Sequence, residues 1–177
     1  MRKLMLYNHG KDSQPYTAKT QVFTQIAEQQ GYETQSIDYR SQANPDARVL
    51  QLLANDWSEF DEIILVGSSM GAYVCVVAAE TLKPKGLFLL APAFYLPGYQ
   101  QTTFTLPVCT IEVIHGWQDT IVPPENSWRF CQQYHANLTV CDADHRLMTV
   151  FPFLADKFNR FLHTLNANNT AIENKPG

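Results

Sequence analysis

Short apolar runs alternate along the chain with longer stretches in which apolar residues recur every three or four positions. Leu4-Met5-Leu6-Tyr7 is the first run and predicts a strand, closed by Asn8-His9-Gly10. Over residues 16–30, Ala18, Val22, Ile26 and Ala27 fall near i, i+4 and i+8, the period of a helix with one apolar stripe, and Gly31 ends it. A weaker second strand is expected over 34–38. Asn44-Pro45-Asp46 then opens another helix, with asparagine as cap and proline at the first helical position. Val49, Leu50, Leu52 and Leu53 supply its expected apolar face.

The middle of the chain differs in kind. The expected strands 62–66 and 86–91 carry the continuous runs Ile63-Ile64-Leu65-Val66 and Leu87-Phe88-Leu89-Leu90 rather than alternation, the pattern of strands buried on both faces of a parallel sheet. Between them, 71–82 is apolar nearly all round and predicts a central buried helix, with Pro84 just past its end. Residues 92–107 break the rhythm with three prolines, Gly98 and four aromatics, which predicts an irregular excursion. Strands are expected at 110–114 and 138–141, with a helix between them from Pro123 or Pro124 to about Tyr134. A last helix should run from about Met148, bent or restarted near Pro152, to about Leu165. This alternation implies right-handed βαβ crossovers, and so an α/β domain over 1–165 with a mostly parallel sheet and helices on both faces. The polar stretch 166–177 reads as a flexible tail.

Composition narrows the partners more than the fold. A chain of 177 residues can bury a real core without disulfides or metal. The net charge of −4 lacks the basic footprint of a nucleic-acid or anionic-membrane binder. Cys75, Cys109, Cys131 and Cys141 form no C-x-x-C pair, and three of them lie in or beside apolar runs, as buried free thiols do in a reducing compartment. The apolar run after Arg2 and Lys3 is too short for a signal peptide, so the expected location is the cytoplasm. Monomer and homodimer are equally compatible with this composition.

Candidate chemistry centres on Gly67-Ser68-Ser69-Met70-Gly71, a G-x-S-x-G motif between a strand and a helix. A serine on so tight a turn sits in strained backbone, with glycines two before and two after where side chains would collide. In a parallel sheet, functional groups gather beyond the carboxyl ends of the strands. Lys11, Ser69, Asp119 and His145 each lie just past an expected strand end. The order Ser, Asp, His is that of the α/β-hydrolase arrangement. His145 would take the proton of Ser69 during attack and return it to the leaving group. Asp119 would fix the tautomer of the imidazole and stabilise its cation. The amides of Met70 and Lys11 would hold the oxyanion. Asp142 and Asp144 are rivals for the acid, but sit beside the histidine in sequence, where their side chains diverge from its ring. His9 and His115 each precede a glycine at a strand end and suit structural hydrogen bonding. His135 and His163, on helices, suit solvation. No His pair or Cys/His cluster has ligand spacing, and there is no phosphate-loop signature, so neither metal nor cofactor is expected.

The sequence resembles the compact bacterial α/β-hydrolases of the YqiA/YcfP type. The likeness is carried by Tyr7-Asn8-His9-Gly10-Lys11-Asp12-Ser13-Gln14-Pro15, by the elbow from Val66 to Gly71, by His115-Gly116-Trp117-Gln118-Asp119-Thr120-Ile121-Val122-Pro123, and by Asp144-His145-Arg146-Leu147. It implies an esterase with Ser69, Asp119 and His145 as triad, the backbones of Lys11 and Met70 as oxyanion hole, and six strands in the order 2-1-3-4-5-6 without a large lid. The chain departs from the family at Ala143 and Ala72, where glycine is frequent, and at Lys11, where an apolar or aromatic residue is frequent.

The expected function is therefore a serine hydrolase cleaving carboxylic esters of a small-molecule acyl substrate, with no nucleic-acid or membrane partner. Phe94, Tyr95, Tyr99 and Trp117 are expected to line a shallow pocket suited to short acyl groups; the alternative is that they merely cover the sheet end. The same machinery would serve a thioesterase or another acyl hydrolase. A non-catalytic α/β-hydrolase-like binding protein is the alternative from a different class.

Overall fold

The computed structural model of the chain describes residues 1–173, with side chains to Ala167. Six strands form one sheet: β1 (Lys3–Asn8), β2 (Glu33–Ile37), β3 (Glu62–Ser68), β4 (Gly86–Leu90), β5 (Thr110–Gly116) and β6 (Asn137–Cys141). Their order is β2-β1-β3-β4-β5-β6, and every neighbouring pair is parallel. The helices are α1 (Ala18–Gln29), α2 (Pro45–Leu53), α3 (Met70–Leu82), α4 (Pro124–Tyr134) and α5 (Phe151–Glu173), the last entered through a 3-10 turn at Met148–Val150. The chain leaves β1 for the edge strand β2, then recrosses to β3 on the other side of β1. The strand order thus reverses between β1 and β3, where Asn8 pairs with Gly67. The loops leaving these two strand ends run apart and leave a crevice.

Alternation along the strands divides the core in two. Leu4, Leu6, Leu65, Leu87, Leu89 and Val113 face α2, α3 and α4 through Leu52, Val74, Ala78 and Phe130. Met5, Tyr7, Ile64, Val66, Phe88 and Ile114 face α1 and α5 through Phe23, Ala27, Leu154, Phe158 and Leu162. β4 is buried at every position, as its continuous apolar run predicts. Residues 92–107 form no helix or strand. Among the described residues no helix is long and apolar enough to cross a membrane.

Three expectations on helices change. The buried stripe of α1 is Thr20, Phe23 and Ala27, while Ala18 is exposed in the first turn; Thr17 caps this helix, its side chain accepting from the Thr20 N–H. On α2 the buried residues are Pro45, Arg48, Val49 and Leu52, and Leu50 is 70% exposed. At about 100° per residue, 45, 48, 49 and 52 share one face and Leu50 lies off it. Finally, the backbone of α5 runs to Glu173, past the helix end expected at about Leu165. No glycine or proline falls between Leu165 and Pro176, and Asn166 accepts from the Lys3 ammonium at 2.8 Å. Residues 174–177 lie outside the described residues.

Candidate active site

The turn from β3 into α3 is built by close approach. A Cβ on Gly67 would lie 2.6 Å from the Ala72 Cα, and one on Gly71 only 1.9 Å from the Asn8 carbonyl oxygen. Bare backbone at both positions lets the first turn of α3 settle against the ends of β3 and β1. Ser69 pays for the tightness with φ +54° and ψ −117°, a region L-residues rarely adopt, at a cost of about 1–3 kcal/mol. Its backbone is pinned there: the N–H donates to the Leu90 carbonyl at 2.8 Å, and its carbonyl accepts from Ala72 at 3.0 Å and Ala93 at 3.1 Å. Met70 is the first residue of α3, so its N–H has no intrahelical acceptor.

Three loop residues from separate strands converge. The Ser69 hydroxyl lies 2.9 Å from His145 Nε2, and His145 Nδ1 lies 2.6 Å from Asp119 Oδ2. Asp119 offers only acceptors, so Nδ1 carries the proton and Nε2 is left to accept from the serine. Asp142 and Asp144 are engaged elsewhere. Asp142 accepts from Trp117 Nε1 at 2.9 Å and from Gln118, and Asp144 accepts from the Arg146 N–H at 3.0 Å. The His145 loop is tied to α1, where the Lys19 ammonium donates to the Arg146 carbonyl at 2.7 Å.

Asp119 is saturated. Its Oδ1 accepts from the Ile121 and Val122 N–H groups at 2.8 and 2.9 Å. Its Oδ2 accepts from His145 and, at 2.9 Å, from His115 Nε2. Burial pushes its pKa up, but the Val122, His145 and Ile121 donors together outweigh burial, and the carboxyl sits below its ordinary value. It is ionised at neutral pH.

The loop after β1 is held from behind by Arg48, a residue with no prominence in the sequence pattern. This side chain is 1% exposed and has no carboxylate in ion-pair range among the described residues. Its Nη1 donates to the carbonyls of His9 at 3.0 Å and Gly10 at 3.3 Å, and its Nε to that of Gln42 at 2.7 Å. His9 Nδ1 also donates to the Gly10 carbonyl, at 2.8 Å, while its Nε2 accepts from the Tyr39 N–H at 2.9 Å. His9 is thus the structural residue its position suggests. The peptide bonds of the described residues are all trans, so with the Gly10 carbonyl turned to Arg48 the Lys11 N–H points the opposite way. Gly10 borders the elbow: a Cβ there would lie 3.5 Å from the Ser69 Cβ. An arginine on the buried stripe 45, 48, 49, 52 was the available sequence signal for this arrangement.

Of the four aromatics expected in a pocket, Phe94 and Tyr95 meet edge to face with ring centroids 6.2 Å apart, while Tyr99 and Trp117 have other partners. Phe94 is fully buried and stacks on Phe130 with ring centroids 4.4 Å apart. Tyr95 lies under the Arg129 guanidinium, 4.0 Å from its ring centroid. Tyr99 packs edge-on to Tyr73, and Trp117 is 60% exposed and turned to Asp142. Phe94 lies in the core and Tyr99 packs against it, since the excursion 92–107 must bury its own apolar rings. A surface groove of about 300 Å³ lies instead between α1 and β2, lined by Tyr16, Gln21, Glu28 and Gln35 among others, and includes none of Ser69, Asp119 and His145.

Comparison with known proteins agrees with this frame. A profile of the uncharacterised protein family UPF0227 matches residues 4–104, more than half of the chain. The chain belongs to that family. The match includes Ser69 but stops short of Asp119 and His145. No curated protein matches the chain. Among solved structures, a Xanthomonas campestris protein described as a hydrolase of the α/β superfamily has a TM-score of 0.81 at 23% identity, over 93% of this chain and 99% of that one. An esterase of Pyrococcus furiosus has a TM-score of 0.76 at 21% identity, over 92% of this chain and 82% of its own. An α/β serine hydrolase without lid, also from Xanthomonas campestris, has a TM-score of 0.73 at 19% identity, over 92% and 81%. At these identities the likeness is one of fold. This UPF0227 member is a compact α/β hydrolase in architecture.

Proposed function

We propose that the protein is a serine hydrolase that cleaves carboxylic esters through an acyl-enzyme. The observation that carries this reading is the chain of contacts from Ser69 Oγ to His145 Nε2 at 2.9 Å and from His145 Nδ1 to Asp119 Oδ2 at 2.6 Å, with the serine on a strained turn. Ser69 attacks the acyl carbon while its proton passes to His145 Nε2. The imidazolium formed is stabilised by Asp119 and returns the proton to the leaving alkoxide. Water then repeats the sequence on the acyl-enzyme, with His145 as base. The N–H groups of Met70 and Lys11 receive the oxyanion, the first at the start of α3 and the second turned away from Arg48. The esterase and serine hydrolase among the proteins of like fold support the choice of ester.

A fluorophosphonate probe is expected to label the folded wild-type protein at Ser69, and Ser69→Ala to abolish labelling. No labelling of folded wild type would instead favour a binding protein with a blocked site. Hydrolysis should fall about tenfold per pH unit once acid protonates His145, because an imidazolium cannot accept the serine proton. A rate flat from about pH 5 to 8 would remove His145 as base. Short acyl esters and thioesters belong in one screen, since both pass through the same acyl-enzyme.

A further inference from the structure

The geometry points to His115 as a positioning residue for the reaction, a second histidine that holds and tempers the Asp119 carboxylate from the side opposite His145. The inference rests on the proposed role of Ser69, Asp119 and His145. His115 ends no catalytic contact itself; its side chain is fully buried beneath the acid loop.

The protonation of His115 follows from its partners. Nε2 lies 2.9 Å from Asp119 Oδ2 and 3.1 Å from the Val122 carbonyl oxygen, and both can only accept. Nε2 therefore carries a proton shared between them. Burial holds the imidazole below its ordinary pKa despite the raising influence of Asp119, so the ring is neutral and Nδ1 is bare. The Ser127 hydroxyl on α4, buried and 2.7 Å from Nδ1, donates to it. Every polar atom of the ring is thus matched, and the tautomer is locked.

The groups facing this ring are few. Asp119 and the Val122 carbonyl come from the loop after β5, Ser127 from α4, and His145 from the loop after β6. On β6, Cys141 Sγ donates to the His115 carbonyl at 3.6 Å, and Asp142 follows it, engaged by Trp117. Two imidazole N–H groups therefore compete for one oxygen of Asp119. The His115 donor draws negative charge from Oδ2 and so limits how tightly Asp119 holds the His145 proton. It also fixes the carboxylate so that Oδ2 faces His145.

Two measurements test this on the whole protein. In the wild type, ¹⁵N NMR of the histidine rings should show His115 protonated at Nε2 only, and unchanged from about pH 5 to 8. His115 protonated at Nδ1, or taking up a second proton within that range, would overturn the inference, whether or not the protein is active. The second measurement is the pH profile of kcat/KM on p-nitrophenyl acetate. In His115→Leu, which deletes the donor, the acid limb should move to higher pH by about 0.5–1 unit, because Asp119 then holds the His145 proton more strongly. In His115→Gln, whose amide can reach the Nε2 position, the wild-type limb should be kept. Mere loosening of the site would weaken the Asp119–His145 contact and move the limb the other way, so an unmoved or lowered limb in His115→Leu counts against the inference. Should His115→Leu fail to fold, the wild-type spectrum decides. A wild type without probe labelling or acid limb marks failure of the serine hydrolase reading, and the spectrum still reports on His115.

Discussion

Asparagine in place of Asp119 is expected to lower kcat by about 10⁴-fold on a short acyl ester, and to lower stability as well. Both losses follow from the four donors that converge on this carboxylate. An asparagine has one acceptor oxygen and one NH₂. If the NH₂ takes the place of Oδ2, it faces His145 Nδ1 and the His115 N–H. His145 then shifts its proton to Nε2, the nitrogen that must accept from Ser69, and its action as base is blocked. If the NH₂ takes the place of Oδ1, it faces the Ile121 and Val122 N–H groups, and each buried donor left unpaired costs about 1–3 kcal/mol. Neither orientation satisfies the site, so the variant should lose rate and melt at lower temperature. Single-turnover kinetics with thermal unfolding checks both effects. Near-wild-type turnover in Asp119→Asn would mean that the acid is another residue.

The largest effect on folding is expected at Gly71. A methyl group there would meet the Asn8 carbonyl oxygen at 1.9 Å and its carbon at 2.4 Å, both backbone atoms of a strand paired on either side. No flexible side chain can yield, so α3 must lift from β1. Overpacking of this kind typically costs about 1–3 kcal/mol, and a clash with fixed backbone should sit at or above the upper figure. For a chain of this size Gly71→Ala should then melt at least about 6–12 °C lower. Gly10→Ala is the control. Its added methyl group would find only ordinary contacts at 3.5 Å, with the Ser68 carbonyl and the Ser69 Cβ, so its melting temperature should stay near that of wild type. Equal melting of Gly71→Ala and wild type would show that the elbow tolerates a wider approach than the structure gives it.

Much of the architecture was legible in the chain because its signals are local. Continuous apolar runs at 63–66 and 87–90 mark strands covered on both faces, and the all-round apolar segment after Ser69 marks the helix between them. The alternation of elements requires parallel pairing, and the observed order β2-β1-β3-β4-β5-β6 agrees with the likeness to small α/β-hydrolases. The elbow was readable for the same reason: its glycines answer to steric demands set within a few residues. The face of an amphipathic helix was less secure, because a stripe read from composition alone favoured Leu50 over Arg48.

What only the tertiary structure decided are the convergences. Arg48 lies buried without a carboxylate in ion-pair range among the described residues because five backbone carbonyls from two separate segments, 9–11 and 39–42, surround its guanidinium, an arrangement no local pattern encodes. The aromatics of 92–107 could as well have lined a pocket, and packing against Tyr73 and Phe130 settled where Phe94 and Tyr99 go. The sequence by itself determined that Ser69, Asp119 and His145 each follow a strand end, since the strands and their order are local and periodic. That Asp119 rather than Asp142 meets His145, and that His115 shares its oxygen, depended on how the loops after β5 and β6 pack. Distances across that packing, unlike periodicity along the chain, exist only once the chain has folded.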